Sequence, residues 1–281
     1  MNAEEALMRL AHTPRLLIAL DFDGTMAPLG DEPMAVRALP AAQTAVAGLA
    51  RLPETFVAFV SGRTLADLRV IAEHDDASVV HLAGSHGAEY WHPADAAGQH
   101  EARTSAPEED SAPGAVLAPR NDPRAEPEGG ADAAAVLTAA EAAVAEIDGA
   151  WIEDKAYGFG LHTRLAAPQD ARRAHELVDE MMSETAPQWR RRSGRDILEF
   201  SWRHEGKDAA VAALRESLGA TAVLFAGDDV TDEDALASLG PDDVGVRVGA
   251  GETVASVRVD DPAELAEMLA RLARMRAAAQ E

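Results

Sequence analysis

The chain has 281 residues, 47% of them hydrophobic, enough for an enzyme-sized body with a substantial core. Its 25 basic and 49 acidic residues give a formal net charge of −24, a field that repels nucleic-acid phosphates and anionic membrane surfaces. With no cysteine, disulfides and thiolate metal sites are excluded. No apolar run reaches the roughly 18 residues of a membrane span, and MNAEEALMRLAHTPR at the N-terminus lacks the apolar centre of a signal peptide. The expectation is a cytoplasmic monomer without nucleic-acid or membrane partners.

In chain order, the apolar run Leu16 to Leu20 predicts a strand that ends directly in acids, followed by an Ala-rich helix after Pro40. A second strand is expected over Phe56 to Val60, ending in Ser61-Gly62-Arg63, with a helix from Thr64. A third, over Val79 to Ala83, ends in Gly84-Ser85-His86-Gly87. Short apolar strands alternating with helices predict a parallel sheet. The alternation resumes with a helix over Lys207 to Leu218, strands over Ala222 to Ala226 and near Val244 to Val248, and an amphipathic helix from Pro262.

Between these halves, Pro93 to Gly130 is rich in Ala, Pro, Glu, Asp and Gly with almost no large apolar side chains, a composition that does not offset its ordering entropy by burial. Beyond it the sequence predicts a helix through Ile147, strands around Trp151 to Lys155 and Tyr157 to Arg164, a helix over Pro168 to Glu184, and strands over Trp189 to Arg192 and Ile197 to Trp202. The expected α/β organisation is a Rossmann-like parallel-sheet hydrolase core in two parts, 1–92 and 204–281. A low-complexity mobile insert (93–130) and a smaller α+β cap domain (131–203) interrupt it.

Ligands of open parallel sheets sit beyond the carboxyl ends of the strands. Here those ends carry Asp21, Asp23 and Thr25, then Ser61, then His86, then Asp228 and Asp229. Asp21 and Asp23 are spaced to face one pocket. One such carboxylate can attack phosphorus while its neighbour protonates the leaving oxygen and later activates water. Crowded carboxylates beside a phosphate demand a cation, and oxygen ligands such as Asp21 and Asp228 suit Mg²⁺. Gly24 permits a tight turn that aims backbone N–H groups at a phosphate. Ser61 offers a hydroxyl, and Lys207 opens a helix whose dipole already favours an anion. All basic residues are arginine except Lys155 and Lys207, which marks these two as places where a compact charge is wanted.

DFDGT (Asp21 to Thr25), Ser61, Lys207 and GDD (Gly227 to Asp229) resemble, in order, the four motifs of the haloacid dehalogenase-like phosphatase superfamily. SGR (Ser61 to Arg63), GSHGAE (Gly84 to Glu89), the Glu153, Lys155, His162 and Arg164 pattern of EDKAYGFGLHTR, LEF (Leu198 to Phe200) and GDDVTDEDA (Gly227 to Ala235) resemble the trehalose-6-phosphate phosphatases more closely. The resemblance implies Asp21 as nucleophile, Asp23 as general acid/base, and Asp21, the Asp23 carbonyl and Asp228 as Mg²⁺ ligands supported by Asp229 and Asp232. It implies Thr25, Ser61 and Lys207 for phosphate, and a cap closing over the sugar. Arg63, His86, Glu89, Glu153, Lys155, His162, Arg164 and Glu199 are then the substrate-binding set. The implied activity is hydrolysis of trehalose 6-phosphate. The alternatives are a related capped phosphatase acting on sucrose phosphate or mannosyl-glycerate phosphate, and a non-catalytic sugar-phosphate sensor. The chain departs from the family pattern at Met26, at Thr163 and at Asp208, which follows Lys207 where glycine is common.

Overall fold

The computed structural model describes residues 3–30, 32–93, 132–155, 157–194, 196–202 and 206–281. The expected insert at 93–130 lies outside the described residues, apart from Pro93. Two compact units are present, one built from both flanking parts of the chain and one from the segment between them.

The larger unit holds helix α1 (Ala3–Ala11), strand β1 (Leu16–Leu20), α2 (Pro40–Leu49), β2 (Thr55–Val60), α3 (Leu65–Ile71), β3 (His81–Gly84) and β4 (Glu89–Trp91). After the second unit come α6 (Lys207–Leu218), β9 (Ala222–Gly227), α7 (Glu233–Ala237), β10 (Val244–Val248), β11 (Val257–Val259) and α8 (Pro262–Ala279). Seven strands form one sheet in the order β11-β10-β9-β1-β2-β3-β4. Every pairing is parallel except β3 with β4, which is the expected α/β class.

β1 is buried on both faces, and its side chains divide by the two-residue period of a strand. Leu16, Ile18 and Leu20 join a core with residues of α1, α2, α3 and α8, while Leu17 and Ala19 join one with α6 and α7. An uninterrupted apolar run is what a central strand covered on both faces requires. β1 lies between β2 and β9, so the strand order reverses around it, and its carboxyl end opens into the crevice where such sheets bind ligands.

Strand β3 begins at His81 rather than Val79, and Val79 is largely exposed. Among the helices and strands named here, four were not expected from the sequence: α1, whose Ala6, Leu7, Leu10 and Ala11 are buried, the short helix α7, and the three-residue strands β4 and β11. Arg276 of α8 is 1% exposed and stitches this unit together. Its guanidinium donates to Thr55 Oγ1 at 2.6 Å and to the carbonyls of Leu10, Ala11, Thr13, Pro14 and Glu54.

The second unit comprises α4 (Ala133–Val144), β5 (Trp151–Lys155), β6 (Gly158–His162), α5 (Pro168–Thr185), β7 (Arg190–Gly194) and β8 (Ile197–Ser201). Its antiparallel sheet has the order β5-β6-β8-β7. One face of that sheet packs Phe159, Leu161, Leu198 and Phe200 against Val136, Ala140, Ala174 and Val178 of the two helices. Alternation places Trp151, Glu153, Lys155, Gly160, His162 and Glu199 on the opposite face.

Candidate active site

The chain leaves β1 at Asp21, whose N–H donates to the Ala226 carbonyl, and turns sharply as the N–H groups of Thr25, Met26 and Ala27 converge on the Phe22 carbonyl. Gly24 sits in the turn at φ +76°, where an added Cβ would lie 2.0 Å from Asp228 Oδ2. Only glycine therefore permits the loop after β1 to close against the loop after β9. Met26 is fully buried in the core, consistent with a volume-conserving substitution.

Asp21, Asp228 and Asp232 each bring a carboxylate oxygen within 4.8 Å of the others. Lys207, the first residue of α6, reaches into the cluster with Nζ 2.5 Å from Asp21 Oδ1 and 2.6 Å from Asp232 Oδ1. Asp232 uses its other oxygen to accept the N–H groups of Asp228 and Asp229, so it braces the loop that presents Asp228. Thr25 Oγ1 donates to Asp228 Oδ1 at 3.3 Å and, more weakly, to Asp21 Oδ2 at 3.5 Å. Asp229 accepts the N–H of Val230, and its carbonyl accepts from Arg247.

Three carboxylates here face one ammonium, leaving two negative charges uncompensated at a site where Asp21 is 5% and Asp232 0% exposed. Burial pushes the Asp21 carboxyl well above its usual range despite Lys207. Burial and Asp232 push Asp228 up to about 6. Burial opposes the charge on Lys207, but Asp21 and Asp232 outweigh it and hold the ammonium above its ordinary value. An all-oxygen donor set with an excess of two negative charges fits a hard divalent cation.

Asp23 is occupied differently. Arg63 Nε donates to its Oδ2 and Nη2 to its Oδ1, both at 2.6 Å. Burial disfavours the guanidinium charge, yet the bonds it donates to Asp23, and the Asp23 charge, keep Arg63 above its ordinary value. Ser61 is 2% exposed; its Oγ accepts the Arg63 N–H and its carbonyl accepts the His86 N–H. Ser85 and His86 both adopt positive φ, at 48° and 55°, and the His86 ring lies against Gly62, where a Cβ would meet it at 2.7 Å. The carboxylate of Glu89 accepts from Ser85 Oγ at 2.6 Å and from the Leu65 N–H at 3.0 Å. It thereby ties the strained turn to the start of α3. Asp208, in the first turn of α6, keeps one carboxylate oxygen buried with no hydrogen-bond partner among the described residues, for which the surroundings give no account.

In the second unit Lys155 Nζ stands 2.9 Å from Glu199 and 3.4 Å from Glu153. Gly160 leaves room for the Lys155 side chain beside it, since a Cβ there would lie 3.0 Å from Lys155 Cε. Burial works against the charge of Lys155, and the two glutamates overcome it to raise its pKa. His162 Nε2 is 2.7 Å from Glu153, and this hydrogen bond is the main reason the Glu153 carboxyl is held low. Trp151 stacks flat on His162 at 4.7 Å and carries Arg164 over its ring at 5.4 Å. Thr163 is buried and bonds His175 and the Asp196 carbonyl.

The structure thus gathers Asp21, Thr25, Lys207, Asp228 and Asp232 into one cluster. Asp23, Ser61, Arg63, His86 and Glu89 form the loops that flank it, and Glu153, Lys155, His162, Arg164 and Glu199 form a group on the second sheet. Sequence reasoning missed Trp151 as a member of that group, although its position two residues before Glu153 on one strand supplies the signal. It missed Gly160 as well, whose role shows only once the strands pair.

The profile of the trehalose-phosphatase family matches residues 19–267. The chain is 30% identical to probable trehalose-phosphate phosphatase 2 of Oryza sativa subsp. japonica, over 97% of this chain and 72% of that protein. It is 29% identical to the trehalose-phosphate phosphatase of Mycobacterium ulcerans, over 92% of this chain and 62% of that one. The fold is similar to the C-terminal domain of the trehalose-6-phosphate phosphatase of C. albicans, with a TM-score of 0.74, 20% identity and 98% of each chain covered.

Proposed function

The chain belongs to the trehalose-phosphatase family, and on that premise we propose that it hydrolyses trehalose 6-phosphate to trehalose and phosphate. The observation that carries the reading is the buried cluster of Asp21, Asp228, Asp232 and Lys207, with Asp23 held beside it by Arg63.

Asp21 attacks phosphorus with one carboxylate oxygen, the bond from phosphorus to the sugar oxygen breaks, and Asp23, in its protonated form with one oxygen released from Arg63, delivers its proton to the departing alkoxide. Asp23, now a carboxylate, then takes a proton from the water that attacks the aspartyl-phosphate, freeing phosphate and Asp21. Lys207, Ser61 and Thr25 receive the phosphate oxygens. Asp21, the Asp23 carbonyl and Asp228 would hold Mg²⁺, with Asp229 and Asp232 bracing them; the ion supplies positive charge where the phosphoryl group gathers negative charge. Mg²⁺ is the expected ion because oxygen donors with bound water suit its octahedral preference.

The sugar is read by Glu153, Lys155 and Glu199 together with His162 and Arg164. Supporting this is a cluster of alternating charge on one sheet face, ready to donate to and accept from hydroxyls. A site built of such groups rejects analogues that leave them unpaired. Residues 131–203 act as the cap over a two-part core, 1–92 and 204–281, with 93–130 as an insert. The protein works as a cytoplasmic monomer; among the described residues no helix is long and apolar enough to cross a membrane.

The test is phosphate release from a panel of sugar phosphates with and without Mg²⁺, using Asp21→Asn as control. Mg²⁺-dependent turnover selective for trehalose 6-phosphate, lost in Asp21→Asn, is the expected result. Preference for sucrose phosphate or mannosyl-glycerate phosphate overturns the substrate assignment, and a single stoichiometric burst overturns catalysis.

A further inference from the structure

Strand β10 reads Val-Gly-Val-Arg-Val and is buried along its whole length. Val244, Val246 and Val248 join the core that α8 covers. Alternation turns Gly245 and Arg247 to the other side, where a Cβ on Gly245 would lie 2.8 Å from Leu236 of α7. A charge inside such a strand is costly unless it is paired, and Arg247 is 7% exposed. Pairing with β9 sets Arg247 beside Gly227, the residue just before Asp228.

The Arg247 guanidinium is spent on the loops around that point. Nη1 donates to the Asp229 carbonyl at 2.8 Å and to Glu233 Oε1 at 3.2 Å, and Nη2 donates to the Ala250 carbonyl at 3.1 Å. Glu233 takes the Val254 N–H on its other oxygen. Asp229 is therefore fixed at both backbone groups, since Asp232 accepts its N–H at 3.0 Å while Arg247 meets its carbonyl. The Asp228 carboxylate receives Thr25 Oγ1 at 3.3 Å, long for a hydroxyl bonding a carboxylate, so its placement depends on the backbone that carries it. Among the described residues, the hydrogen bonds of Arg247 go to two carbonyls and Glu233 and leave Asp21, Asp228 and Asp232 open to a cation.

We propose that Arg247 is a positioning residue for the divalent cation: by fixing the Asp229 carbonyl, it holds the turn after β9 so that Asp228 presents its carboxylate to Mg²⁺. The inference rests on the reading of the acidic cluster as a Mg²⁺ site. Two other roles predict different outcomes. A plain structural pin affects folding and leaves cation affinity alone. A neighbouring positive charge repels the cation, so that removing it tightens binding. A positioning residue, once removed, weakens binding.

The experiment titrates Mg²⁺ into the substrate-free, full-length protein by isothermal calorimetry, at a temperature where circular dichroism shows each variant folded. Arg247→Met removes the charge and the donors while keeping much of the side chain's length, and should raise the Kd for Mg²⁺ about tenfold. Arg247→Lys keeps the charge and one donating group and should raise it about threefold. Arg258→Met is the control, because Arg258 donates to the carbonyls of Gly249 and Gly251 in the same connection from β10 to β11; its Kd should match the wild type. A Kd that is unchanged or lower in Arg247→Met, or in Arg247→Lys if the first variant does not fold, overturns the proposal, as does an equal rise in Arg258→Met. A wild-type protein that binds no Mg²⁺ overturns the cation reading as well, whereas wild-type binding matched by Arg247→Met overturns this inference alone.

Discussion

Arg63 grips Asp23 through two parallel bonds of 2.6 Å, a fork-on-carboxylate geometry that fixes where both Asp23 oxygens point. The role proposed for Asp23, giving a proton and then taking one back, depends on that placement. Arg63→Gln is expected to keep the fold and to lower kcat by about 100-fold, seen in steady-state kinetics alongside an unchanged circular dichroism spectrum. A rise in KM with kcat intact would instead assign Arg63 to substrate binding alone.

Glu89 touches Ser85 and the first N–H of α3, so its effect on catalysis should pass through the His86 turn. Ser85 and His86 at positive φ are each in a conformation that disfavours side chains. Glu89→Ala should destabilise the protein by about 1 to 3 kcal/mol in urea unfolding and lower activity. Glu89→Gln, which still accepts from both partners, should restore most of both.

The excess of two negative charges makes a prediction about the ion that does not rest on turnover. Mg²⁺ should raise the melting temperature of the wild-type protein, and a chelator should reverse the rise. Asp228→Asn removes a carboxylate that burial and Asp232 hold up to about 6. Without Mg²⁺ that variant should be more stable than wild type by about 1 kcal/mol, and its response to Mg²⁺ should vanish. Differential scanning calorimetry with and without the ion checks both signs.

His81 is 2% exposed and its Nδ1 lies 2.9 Å from Nδ1 of His92. Burial, with the neighbouring His92 and His74, pushes its pKa down to about 3. An unfolded histidine titrates near 6.5, so between these values the unfolded chain binds the proton that the folded protein refuses. The stability is therefore complete above about pH 6.5 and is lost at about 1.4 kcal/mol per pH unit as the pH falls toward 3. His81→Asn places a non-titrating amide in that position and should flatten the slope in denaturant titrations between pH 6 and pH 4.

Arg276→Met should be the most damaging of these changes to stability. It leaves Thr55 and the carbonyls of Leu10, Ala11, Thr13, Pro14 and Glu54 without their donor. A loss of about 3 to 5 kcal/mol is expected, measurable by chemical denaturation.

The acid-bearing strand ends of the candidate site were legible because Leu16 to Leu20 and Ala222 to Ala226 are apolar without interruption and stop at acids or at Gly227 before them. The kept lysines were legible too, and they proved alike: Lys207 bridges Asp21 and Asp232, and Lys155 bridges Glu153 and Glu199. What the sequence hid depends on distance along the chain. Arg63 and Asp23 are 40 residues apart, and Glu89 is 24 from Leu65, so neither partnership leaves a local pattern. β4 and β11, at three residues each, are too short for alternation to register. Helix α1 buries Ala6, Leu7, Leu10 and Ala11, but over nine residues that spacing carries only a weak periodic signal.

The central position of β1 also governs how the protein is made. One neighbour, β2, is close in sequence, but Arg15 at its start bonds Thr221 at the start of β9, 206 residues later. The second unit draws all four of its strands from one continuous stretch and so closes early on the ribosome, where long-range pairing is slow and local pairing is fast. During that interval Leu16 to Leu20 presents an unpaired apolar edge. Nascent chains arrested before residue 222 should contain a folded inner unit and an aggregation-prone beginning, and release of the β9 segment should be the step that makes the protein soluble.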